Sequence, residues 1–106
     1  MEDCELFSEA RALFNGERYW ECHEVLEGLW RTKQGEEKRL LQGIILVCAA
    51  LVHHQKGEED VSLGVLRRAL AQIEYSEPEY GGFAVTGLRR NVEDILQSKK
   101  VSNFRV

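Results

Sequence analysis

The chain has 106 residues, with one proline, three cysteines and no surplus of positive charge, and each shortage excludes something. A single Pro beside nine Gly rules out collagen-like and proline-rich disordered classes. Cys4, Cys22 and Cys48 form an odd set with no CxxC pair, which removes zinc-ribbon and thioredoxin-type motifs. That set, with an acidic start lacking an apolar leader, predicts a soluble protein of a reducing, cytoplasmic setting. Fourteen Lys and Arg against eighteen Asp and Glu leave a formal charge of −4. Nucleic-acid binding needs a basic footprint, so no nucleic-acid partner is expected. The longest uncharged stretch, Leu40 to Gln55, falls short of the ~20 apolar residues of a membrane span, so no membrane partner is expected either. The G-x-G-x-x-G, P-loop and G-x-S-x-G patterns are absent.

What remains is one domain's worth of sequence, 43% hydrophobic, able to bury about two-thirds of its unfolded surface. Apolar residues recur at helical spacing and no sustained strand-like alternation is visible. The reading is all-α: a single bundle over residues 1–106, with five helices near 3–14, 17–33, 36–56, 60–75 and 84–98. Leu6, Ala10, Leu13 and Phe14 form the stripe of the first, which Asn15 and Gly16 end through their tolerance of left-handed backbone. Gly35 stops the second and Gly57 the third. The third carries Leu40, Leu41, Ile44, Val47, Cys48 and Leu51 on one face, with Ile45, Leu46, Ala49 and Ala50 on the others. A helix apolar all round is surrounded by neighbours, so the third is central. Such a helix in a small chain is also compatible with a homodimer.

Chemistry concentrates in Tyr19 to Trp30. At 100° per residue from Tyr19, Trp30 falls at about 20°, His23 at about 40°, Glu27 at about 80°, Trp20 at about 100° and Leu26 at about 340°. His23 and Glu27 are thus expected inside an aromatic, buried stripe, with Glu24 at its edge. A buried carboxylate needs a partner. Three readings stay open: His23 and Glu27 satisfy each other as a structural pair, they chelate a divalent metal such as zinc, or they are acid–base groups lining a small-molecule pocket. His23-Glu24-x-x-Glu27 resembles the HExxH zinc motif with Glu for its second His. If the second and third helices form an antiparallel hairpin, His53 or His54 approaches Tyr19, Trp20 and His23. The candidate catalytic residues are therefore His23 and Glu27, with Glu27 as base and His23 as acid or ligand in a hydrolysis or proton transfer. The candidate metal set is His23, Glu27 and His53. The candidate binding residues are Tyr19, Glu24, Trp30, Gln42 and His53. The competing reading is a non-enzymatic structural or interaction module with His23 and Glu27 in a buried polar network. A di-iron bundle fails, because neither His23 nor His53 has a Glu three residues before it. Cys22 and Cys48 read as small core residues.

Phe14-Asn15-x-x-x-Tyr19-x-x-x-His23-Glu24-x-x-Glu27-x-x-Trp30, followed by Leu41-Gln42-Gly43-Ile44-Ile45, Ala49-Ala50 and a His shortly before Gly57, resembles the family called domain of unknown function 309. The resemblance runs from about Leu6 to Leu96. It implies a small all-helical protein and no particular activity. Its matching residues here are Asn15, Tyr19, His23, Glu24, Glu27, Trp30, Gln42, Gly43 and one of His53 or His54. Glu58-Glu59-Asp60 and Gly64-Val65 depart from the family pattern, leaving the entry to the fourth helix open to variation.

Overall fold

Helical spacing of apolar residues becomes five helices among the described residues, which are 2–73 and 78–106 of a computed structural model. They are α1 (Asp3–Asn15), α2 (Tyr19–Trp30), α3 (Gly35–Gln55), α4 (Glu59–Ile73) and α5 (Val85–Ser98). Between α4 and α5 lies a two-stranded antiparallel hairpin, β1 (Glu79–Tyr80) and β2 (Phe83–Ala84). Residues 74 and 75 of the expected fourth helix, and 76 and 77 of the expected break after it, lie outside the described residues.

α3 is the central helix, packed against α2 on one side and α4 on the other; α1 packs on α2 and α5 on α4. Its buried residues, from Leu40 and Leu41 through Ile44, Ile45, Val47, Cys48, Ala50 and Leu51, occupy more than one face, as its all-round apolar pattern requires. Gly43 lets α4 come close: a Cβ there would stand 2.4 Å from Ile73 Cγ2. Ser62 Oγ donates to the carbonyl of Ala50 at 2.7 Å, so the single buried polar residue among the described residues is satisfied. On the other flank, Cys22 and Cys48 are fully buried with their Sγ atoms 3.5 Å apart. The hydrogen bond to Cys22, then burial, push the Cys48 thiol well above its ordinary range, so it sits as a neutral core group.

Element boundaries differ from the sequence expectation where turn chemistry decides them. The left-handed residue after α1 is Glu17, at φ +60°, while Gly16 sits at φ −88°. That turn delays α2 to Tyr19. α2 also stops at Trp30, because the amides of Thr32 and Lys33 turn back to the carbonyls of Leu29 and Trp30 three residues earlier. Gly57, at φ +77°, closes α3. The hairpin is an addition to the all-helical expectation: Gly81 and Gly82 both take positive φ, 57° and 82°, as a tight two-residue turn requires. In α1, Phe7, Ala10 and Phe14 are buried, whereas Leu6 and Leu13 pack at the margin.

After α5, Lys99 turns left-handed at φ +60° and the chain runs back without regular structure over the α1–α2 turn. The Asn15 side chain reads the backbone of Val106 twice: Nδ2 donates to its carbonyl at 3.1 Å, and its amide donates to Oδ1 at 2.7 Å. Tyr19 OH donates to Asn103 Oδ1 at 3.1 Å, Asn103 Nδ2 donates to Glu17 Oε1 at 2.7 Å, and Phe104 packs on Phe14.

Candidate functional site

α2 decides the site, because its buried face is turned away from Trp20. The buried residues are Tyr19, Cys22, Leu26 and Leu29, centred near 320° on the wheel that starts at Tyr19. His23, at about 40°, therefore lies on the flank, and Trp20, at about 100°, on the surface. Trp20 is 58% exposed. The expectation that the Trp-bearing stripe is buried is corrected for Trp20: Tyr19, Cys22, Leu26 and Leu29 take the buried face, and Trp30 packs half-buried at its margin.

Glu27 moves outward with that rotation. Its side chain is 37% exposed; Oε1 accepts from Arg31 Nη2 at 2.7 Å and Oε2 lies 3.3 Å from His23 Nε2. The carboxylate is thus paired on both oxygens at the surface, and needs no buried partner. His23 is further inside, its side chain 22% exposed. Its ring stacks on Trp20 with centroids 5.2 Å apart, and its Nδ1 is buried without a hydrogen-bond partner. An orphaned buried nitrogen is unusual in a folded protein.

Across from it, the C-terminal end of α3 supplies His53. Ala49, Val52, His53 and Lys56 recur at helical spacing on one face of α3 and close a cleft of about 190 Å³ with Trp20 and His23. The start of α2 therefore meets the end of α3, as an antiparallel pair demands. His53 Nδ1 is bonded to Glu58 Oε1 at 2.7 Å, which holds the Glu58 carboxyl below its ordinary range and leaves Nε2 as the other ring nitrogen of His53. Two imidazoles, each with a carboxylate within ion-pair distance, thus stand in the walls of one cleft. Of the adjacent pair of histidines it is His53 that lines this cleft, while His54 turns away and pairs with Glu59.

Other residues singled out in the sequence lie elsewhere. Tyr19 is buried, its phenol pushed up to about 12 by burial first and then by Glu17, and it anchors the C-terminal tail. Trp30 is at the opposite end of α2, with Lys38 Nζ 4.1 Å from its ring centroid. Glu24 is exposed on α2, and Gln42 lies half-buried near the start of α3, away from the cleft. Nor do His23, Glu27 and His53 converge as a ligand set. Among the described residues no group of three or more His, Cys, Asp or Glu is placed to hold a metal ion. Charge pairing explains why: Glu27 faces Arg31 and His23, and His53 faces Glu58. Sequence reasoning passes over Trp20, Lys56 and Glu58 as site residues. The spacing of Ala49, Val52, His53 and Lys56 is the signal that could have found the α3 wall.

Five helices around a central α3 define an all-helical protein in which the α2–α3 pair carries a polar cluster beside a cleft. The chain belongs to the family described as domain of unknown function, DUF309, whose model matches residues 7–65 and so takes in His23, Glu27 and His53. It is 26% identical over 102 residues to a protein of Aquifex aeolicus (strain VF5) described as an uncharacterized protein. That match takes in 95% of this chain, which spans 31% of the relative's length. Among solved structures, a conserved hypothetical protein of Thermus thermophilus superposes with a TM-score of 0.74 at 38% identity, covering 85% of this chain and 94% of that one. Among the described residues no helix is long and apolar enough to cross a membrane.

Proposed function

We propose that the protein binds a small molecule in the α2–α3 cleft, and that His53 and His23 exchange protons with it. One observation carries this reading: two imidazoles line the same cleft, His53 hydrogen-bonded to Glu58 and His23 with Glu27 3.3 Å from its Nε2. A carboxylate bonded to one ring nitrogen fixes the tautomer and aims the other nitrogen, the arrangement that general acid–base chemistry uses. Glu27 and Glu58 are then positioning residues, and the proton-carrying groups are the two rings. The reaction class such a pair serves at neutral pH is proton transfer or hydrolysis. At about 190 Å³ the cleft is below the ~300–1,000 Å³ of drug-sized pockets, which limits the occupant to a small molecule or one end of a larger one.

The structural alternative has its own observation, the chain of contacts from His23 through Glu27 to Arg31 along α2. The two readings separate on stability. A structural network makes His23→Ala cost a few kcal/mol, whereas a binding cleft loses little. Ligand-observed NMR of the full chain against a small-molecule library tests the proposal. Ligands that bind the native chain and are lost in His53→Ala and His23→Ala support it. Binding that survives both substitutions overturns it.

A further inference from the structure

The chemistry of the cleft walls narrows the ligand. The side chains that line it are Trp20, His23, Ala49, Val52, His53 and Lys56. Every polar one among them carries nitrogen, and none carries a carboxylate, in a chain with four more acidic than basic groups. The two carboxylates that meet the cleft's histidines are already paired: Glu27 with Arg31 and His23, Glu58 with His53. Lys56 makes no ion pair or side-chain hydrogen bond among the described residues, although its charge acts on the nearby Glu58 carboxylate. Helix dipoles do not decide the sign here, since the positive start of α2 and the negative end of α3 meet and largely cancel. The remaining surface is apolar, formed by Ala49, Val52 and the exposed indole of Trp20.

An ammonium, imidazole nitrogens and an indole N–H around an apolar floor complement an oxyanion carried on a small flat body. An apolar cavity of about 150 Å³ holds a benzene ring, so one ring with its anionic group matches the space at hand. We infer that the α2–α3 cleft selects a small planar anion, a carboxylate or phosphate monoester, with Lys56 and His53 holding the anionic group and Trp20 covering the ring. This rests on the cleft being the binding site, and names the class of ligand it takes.

The test is isothermal titration of the full chain with three probes of similar size: phenyl phosphate, benzoate and neutral benzamide. The two anions should bind at least tenfold more tightly than benzamide. Lys56→Gln, at an exposed position just past the end of α3, should erase that preference without lowering the melting temperature. Equal affinity for all three probes overturns the anion inference and leaves the cleft in place. Anion binding that ignores both Lys56→Gln and His53→Ala overturns it too, because the anion then sits elsewhere. Failure of all three probes to bind overturns the inference together with the cleft reading beneath it.

Discussion

Two clusters of polar residues flank the start of α2, and they end differently. At the α1–α2 turn, Asn15, Glu17, Tyr19 and Asn103 bond one another and the backbone of Val106. One helical turn further, His23, His53 and Lys56 line a cleft, the Nδ1 of His23 is buried without a hydrogen-bond partner, and Lys56 makes no ion pair or side-chain hydrogen bond among the described residues. A closed set of hydrogen bonds contributes to holding the fold, whereas an open set awaits something from outside. Residues of one motif, four positions apart, thus divide between structure and site.

That division can be broken experimentally. The largest effect should come from Tyr19→Ala, which removes a fully buried aromatic ring; urea denaturation should show a loss of about 3–5 kcal/mol. Next is alkaline pH. The Tyr19 phenol is raised to about 12 in the folded chain against about 10 when unfolded. Its contribution is therefore complete below pH ~10 and lost as pH rises toward 12, on the order of 2 kcal/mol. Denaturation midpoints across that window should fall, and Tyr19→Phe should flatten the fall to the share left by Tyr80, also raised by burial and by Glu37. Asn15→Ala removes both contacts to Val106 and should cost about 1–2 kcal/mol, with faster hydrogen exchange at the Val106 amide. Smallest on this scale is His53→Ala: its partner Glu58 lies at the surface, so stability should change by less than ~1 kcal/mol. If His53→Ala costs as much stability as Asn15→Ala, the contrast between the clusters collapses.

The central helix is legible in the sequence because Leu40 through Leu51 leave no polar face. The tail is not, since residues 99–106 show no period and their docking depends on distant partners: Asn103 meets Tyr19 across 84 positions and Val106 meets Asn15 across 91. The hairpin escapes the helical periodicity, although adjacent glycines between Tyr80 and Phe83 signal such a turn. The site is half legible. Spacing places His23 beside Glu27 and brings His53 toward them, yet it misjudges the rotation of α2 by assigning Trp20 to the core, whereas Trp30 does pack half-buried against it. Tryptophan also serves as the wall of an open cleft, as Trp20 does here, and the wheel alone does not distinguish the two. The metal set fails for a related reason: sequence spacing brings ligands near one another, but Arg31 and Glu58 answer the charges first.

The most direct test is a nitrogen-15 correlation spectrum of the full chain titrated with phenyl phosphate. The expected shifts are confined to the Trp20 indole N–H, the side-chain nitrogens of His23 and His53 and the amides around Lys56, with Asn15, Asn103 and Val106 unmoved. Shifts centred on the Asn15–Val106 contact, or none at the cleft with saturating probe, would contradict that expectation.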